Sequence, residues 1–221
     1  MPARCSHYGE CGGCSLQHFP EAAYLELKRQ QIVSALSFQH IDATVEPVVA
    51  IPSGTRRRAV FAAHRPKSGS GKTIVVGFHG KRSHHIVPIR DCAVITPGLF
   101  ALLPRLEKLA AAAVSQKDAL TLTVTETVTG FDVALTGVAK GLPADARIKL
   151  VQTAGELGIA RLSINGEVAM EHTPPTLRAG EAHLTPPPGG FLQACEPSEA
   201  AMLRLVQDAV GDARRVVDLF S

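Results

Sequence analysis

Cys5, Cys11, Cys14 and Cys92 are the residues of this 221-residue chain whose type and spacing could do chemistry. The first three read Cys5-x5-Cys11-Gly12-Gly13-Cys14, and 77 residues lie between Cys14 and Cys92. The two glycines between Cys11 and Cys14 let the backbone turn tightly, so neighbouring thiolates can converge on one point. Thiolates are soft ligands, and three close cysteines with a distant fourth suit either an iron–sulfur cluster or tetrahedral zinc. The spacing alone leaves both open. Either group would staple the N-terminal loop to the segment around Cys92, a structural task rather than an electron-transfer one.

The cysteines lie in loops, so the surrounding elements decide whether they meet. Residues 21–39 read as a helix: Pro20 precedes it, and Leu25, Ile32, Val33 and Leu36 recur on one face. This helix is expected beside the cysteine loop. Residues 45–50, 57–63, 73–78 and 84–89 read as strands of a small antiparallel sheet. Pro66-Lys67-Ser68-Gly69-Ser70-Gly71 and His79-Gly80-Lys81 are the turns between them. Residues 97–115 form a second predicted helix. The stretches 120–127 and 131–136 alternate about Val128-Thr129-Gly130 as a hairpin. A third helix over 144–158 follows, then a second hairpin, 160–165 with 167–171, about Asn165-Gly166. Helix–hairpin–helix–hairpin order is an α+β signature. Thr185-Pro186-Pro187-Pro188-Gly189-Gly190 is a stiff connection to a helix over 196–211, with Pro197 in its first turn, and a strand over 214–220.

Composition narrows the class. The chain is 45% hydrophobic and 19% charged, ordinary for a globular protein. No run approaches the roughly 18 apolar residues of a membrane span. Met1-Pro2-Ala3-Arg4-Cys5 lacks the apolar core of a signal peptide, so the cytoplasm is the expected location. In that compartment five cysteines argue for metal binding over disulfides. The net charge of +3 is unevenly placed: residues 1–100 hold 12 Lys and Arg against 6 Asp and Glu. That half carries Arg56-Arg57-Arg58 together with Arg65, Lys67, Lys72, Lys81 and Arg82, a pattern that phosphate backbones reward.

The stretch Cys5-Ser6-His7-Tyr8-Gly9-Glu10-Cys11-Gly12-Gly13-Cys14-Ser15-Leu16-Gln17-His18 resembles the cluster-binding signature of the iron–sulfur RNA uracil-C5 methyltransferases. The likeness continues at Tyr24 and Lys28, at Gly77-Phe78 and along Ser83-His84-His85-Ile86-Val87-Pro88-Ile89-Arg90-Asp91-Cys92. It returns at Gly190-Phe191-Leu192-Gln193 and at Val217-Asp218-Leu219-Phe220-Ser221, which resembles the opening of that family's S-adenosylmethionine motif. The resemblance implies a [4Fe-4S] cluster on Cys5, Cys11, Cys14 and Cys92, with zinc the alternative. Radical S-adenosylmethionine chemistry, which leaves one iron open on three close cysteines, fits the fourth cysteine poorly.

The resemblance also implies cofactor contacts at Gln193 and Phe220. Cys195 stands where the family often has Asn, and Thr55 where it commonly has Tyr. Cys195 reads as a packing residue rather than a nucleophile. His84 and His85 read as structural or RNA-facing. The implied architecture is a cluster-bearing region over 1–95, an α+β central domain over 96–185, and the first helix and strand of a Rossmann-like methyltransferase domain over 186–221.

In the implied reaction a cysteine thiolate adds to C6 of a uracil, and C5 takes the methyl group of S-adenosylmethionine. A base then removes the C5 proton and the cysteine is eliminated. The target base must first leave its stack. The nucleophile and base of that chemistry are expected beyond Ser221, so residues 1–221 alone are expected to be inactive. The implied partner is RNA, 23S rRNA before tRNA, with neither DNA nor membrane and with a monomeric protein. A standalone metal-stabilised RNA-binding module is the competing reading.

Overall fold

Alternating apolar residues build the centre of the molecule. The computed structural model describes residues 3–66, 74–113, 119–139 and 141–218. Seven strands join in one sheet: β1 (Arg58–His64), β2 (Val75–His79), β3 (Ile86–Pro88), β4 (Leu120–Thr127), β5 (Gly130–Thr136), β6 (Ile159–Ile164) and β7 (Glu167–Glu171). Their order is β3-β2-β1-β4-β5-β6-β7. All pairs are antiparallel except β5 with β6, which are joined through a helix as parallel neighbours must be.

Helices α2 (Pro97–Ala113) and α3 (Ala144–Glu156) pack on one face of the sheet. Thr96 starts α2 by accepting the Leu99 N–H on its hydroxyl at 3.2 Å, and Pro97 follows where no N–H is needed. Leu99, Leu102, Leu103, Leu106 and Leu109 of α2 are buried against Phe61, Leu122, Val124 and Leu135. A buried leucine stabilises by roughly 1.5–3 kcal/mol, so five fix α2 firmly. By contrast α1 (Glu21–Phe38) and α4 (Glu196–Val210) bury no residue. No helix among the described residues is long and apolar enough to cross a membrane.

The mixed α+β class and both predicted hairpins are present. At the second turn Asn165 and Gly166 take φ of 50° and 93°, the left-handed pair such a turn requires. Four features differ from the sequence reading. First, the small N-terminal sheet and the central strands are one sheet, because β1 pairs with β4 over six residues. Second, residues 45–50 form no strand; Pro47 has no N–H for a ladder, and the apolar Val48 and Val49 stay exposed. Third, residues 214–218 form no strand, since an apolar parallel-type strand needs neighbours and no described strand pairs with it. Fourth, an extra hairpin, β8 (Leu177–Ala179) with β9 (Ala182–Leu184), turns at Gly180 with φ of 60°.

The helix-free face of the sheet carries a polar row. Register places Arg58 opposite Thr125, Thr125 opposite Asp132, and Asp132 opposite Arg161. Arg161 grips Asp132 with two bonds of 2.9 and 2.8 Å, both residues being buried. Its Nη2–H also donates to the Pro186 carbonyl at 2.7 Å, which draws the proline-rich connection onto this face.

Candidate metal centre

The cysteine loop is fastened to the β2–β3 hairpin by its own backbone. The Gly12 N–H donates to the His79 carbonyl at 2.9 Å, and the Lys81 N–H donates to the Glu10 carbonyl at 2.9 Å. Cys11 thereby bridges Gly80 in antiparallel fashion. Gly12 is needed for this approach: a Cβ there would stand 2.9 Å from the His79 carbonyl oxygen. Gly77 does the same inside the hairpin, where a Cβ would come within 1.9 Å of the Val87 carbonyl oxygen.

A second set of bonds ties the loop to the Cys92 segment. The Ser6 N–H donates to the Asp91 carboxylate at 3.2 Å, and the Arg90 N–H donates to His7 Nε2 at 3.0 Å. The Cys5 thiol lies 3.8 Å from the Asp91 carbonyl oxygen. Tyr8 closes the loop on itself by donating its hydroxyl to the Ser15 carbonyl at 2.8 Å. The same hydroxyl also meets His18 Nδ1.

Cys5, Cys11, Cys14 and Cys92 all line one cavity of about 280 Å³, with Phe78, Ile89 and Ile95 forming apolar wall. Each cysteine is half-buried and unbridged. Burial pushes the Cys11 thiol above its ordinary value, and Cys14, Cys5 and Cys92 push it further as neighbouring negative charges, while the Gly13 N–H works against them. A thiol raised by burial beside three others belongs to a donor set that positive charge would favour. Among the described residues, however, no three His, Cys, Asp or Glu stand close enough together to hold a single metal ion. Tetrahedral zinc at 2.3 Å would need its sulfurs about 3.8 Å apart. The four cysteines therefore line one cavity but do not form such a one-ion group among the described residues.

The remaining predicted residues fall elsewhere. The three arginines split by the two-residue period of an extended strand. Arg56 and Arg58 line the cysteine cavity. Arg57 is buried and pairs with Glu199, and at 3.8 Å with Glu196, so it is not open to a phosphate. That clamp holds the N-terminal turn of α4, and the Arg57 N–H adds a bond to the Ala194 carbonyl at 2.7 Å. Gln193 lies half-buried just before this contact and does not reach the cysteine cavity. Phe220, Lys67 and Lys72 lie outside the described residues. Cys195 is the N-cap position of α4 and bridges Arg56, a structural placement. His84 and His85 are exposed at the β2–β3 turn, where the His84 ring meets His79 at 6.5 Å. Sequence reading missed the Arg57 clamp and the role of Arg58, although strict alternation along a strand start is a signal that separates them.

An RNA methyltransferase of Rhizobium meliloti is 39% identical over 223 residues, covering 98% of this chain and 52% of the relative. One from Caulobacter vibrioides is 40% identical over 220 residues, with 98% and 52% covered. The chain belongs to the family of these RNA methyltransferases. It spans about half the length of the curated relatives it matches. The 23S rRNA (uracil(1939)-C(5))-methyltransferase of Dechloromonas aromatica is 33% identical over 136 residues, 59% of this chain and 28% of that protein. No family model matches the chain. Family membership agrees with the resemblance carried by the cysteine signature at 5–18 and by the segment ending at Cys92.

Proposed function

We propose that residues 1–221 are the cluster-bearing, RNA-orienting part of an S-adenosylmethionine-dependent RNA uracil-C5 methyltransferase acting on 23S rRNA. The observation that carries the reading is the single cavity shared by Cys5, Cys11, Cys14 and Cys92 in a relative of RNA methyltransferases. These four thiolates would hold a [4Fe-4S] cluster, which neutralises their mutual repulsion and ties the N-terminal loop to the Cys92 segment. S-adenosylmethionine supplies the methyl group, and residues 186–218 open the domain that binds it. Gln193 offers an amide donor and acceptor to that substrate. In support, Met202, Leu203, Leu205 and Val206 of α4 are exposed, as on a helix of a larger domain.

Residues 1–221 hold no assigned nucleophile or base, so this portion alone transfers no methyl group. Its chemical task is to present RNA. Arg56, Lys81, Arg82 and Arg90 are exposed around the cysteine loop and form no ion pair among the described residues, which suits a phosphate backbone.

Metal and sulfide analysis of protein purified without oxygen tests the reading. About four irons and four sulfides per chain are expected, lost together when Cys11 or Cys92 becomes Ser. About one zinc and no sulfide would overturn the cluster and leave a zinc-stapled RNA-binding module.

A further inference from the structure

Arg58 stands where the cysteine cavity meets the connection to α4. It lines the cavity, and its Nε–H is buried without an acceptor among the described residues. Its Nη2–H donates to the Gly189 carbonyl at 3.4 Å, near the long limit for a hydrogen bond. Two arginine side chains thus hold the connection, Arg161 on the Pro186 carbonyl and Arg58 on the Gly189 carbonyl, upstream of the Arg57 N–H on the Ala194 carbonyl. The two grips differ. Arg161 is locked by a buried carboxylate, Asp132, whereas Arg58 has no acid partner among the described residues. Gly189 itself lies against the sheet, where a Cβ would meet the Ala134 methyl at 3.4 Å.

We propose that Arg58 couples the cysteine centre to this connection. Its Nε–H donates to a sulfur of the filled centre while its Nη2–H holds Gly189, so that filling the cavity fixes the path of residues 189–195 into α4. The proposal rests on the cluster reading of the site. A buried guanidinium N–H needs an acceptor. A thiolate-held cluster supplies both sulfur acceptors and negative charge, and such outer contacts orient and tune a metal group. The guanidinium is a rigid planar fork, so fixing one N–H aims the others. Lysine carries the charge without the fork.

The test is hydrogen–deuterium exchange along residues 186–199, with iron and sulfide content measured on the same samples. In the wild-type protein, stripping the iron is expected to raise exchange over 189–195 about tenfold, the loss of one charge-assisted hydrogen bond. Exchange at β4 and β5 is expected to stay unchanged. In Arg58→Gln that protection is already missing in the iron-loaded protein, and iron passes to a chelator about tenfold faster. Arg58→Lys is expected to recover iron retention but not protection of 189–195. Equal exchange over 189–195 in loaded and stripped wild-type protein overturns the coupling and leaves the cluster reading standing. That comparison needs no variant to fold. Wild-type protein without iron and sulfide removes the cluster reading and this inference with it.

Discussion

Gly12 and Gly13 are neighbours with different tasks. A Cβ at Gly12 would press on backbone oxygens of His79 and Gly80 at 2.9 and 3.3 Å, whereas one at Gly13 meets only the Cys11 sulfur at an ordinary 3.5 Å. Gly12→Ala is therefore expected to weaken loop docking by about 1–3 kcal/mol. Amide exchange at Gly12 and Lys81, the two pinning donors, would rise roughly tenfold or more, while Gly13→Ala leaves both near wild type. Equal behaviour of the two variants would contradict the docking described here. His64 sets a pH dependence. Burial pushes its imidazole below the ordinary value, the charge of His85 acts in the same sense, and its Nδ1 is buried without a partner among the described residues. The folded protein then holds this proton less tightly than the unfolded chain. The stability it contributes is complete above the unfolded value of about 6.5 and is lost as pH falls through the lower folded value. The urea midpoint should drop between about pH 7.5 and about pH 5.5, and His64→Gln should flatten that drop. An unchanged slope in the variant would assign the effect to other groups.

At the scale of elements, the β2–β3 hairpin is both platform and edge. Its backbone receives the cysteine loop through His79 and Lys81, and its turn carries exposed Lys81, Arg82, His84 and His85. Exposed cations without acid partners stabilise the fold little, so their effect should appear in binding. The double variant Lys81→Glu, Arg82→Glu is expected to weaken RNA binding and to lower the slope of log affinity against log salt by about 1–2. Its iron content should equal wild type. An unchanged salt slope would place the phosphate contacts elsewhere, with Arg56 and Arg90 next in line.

The whole molecule separates a self-sufficient core from a dependent loop. Leucines of α2 and Leu150 of α3 pack on the sheet without any help from residues 5–18. A centre joining Cys14 to Cys92 closes a loop of 77 intervening residues, which by chain entropy is worth roughly 4 kcal/mol. Removing iron is expected to lower unfolding stability by up to that amount. Amide protection should fall in residues 5–18 and 90–95 while β4, β5 and β6 keep theirs. Loss of protection throughout the sheet on iron removal would show that the core depends on the centre after all.

How much was legible depends on range. Periodicity and turn residues act between near neighbours, so the helices and both hairpins could be read from the chain, down to the left-handed Asn165-Gly166 turn. The cysteine motif was legible as a set of thiols for the same reason, because side-chain type and local spacing are written directly in sequence. Pairing of β1 with β4, the buried state of Arg57 and the junction at Arg58 were not legible. Each of these depends on which surface a residue meets across long separations. Arg56, Arg57 and Arg58 are identical in type and consecutive, and only the sheet assigns two to the cavity and one to a carboxylate clamp. Sequence by itself determined the chemistry on offer, because side-chain type is a local property. Tertiary structure alone decided which of those groups face one another, because burial and charge partners exist only once distant segments have packed.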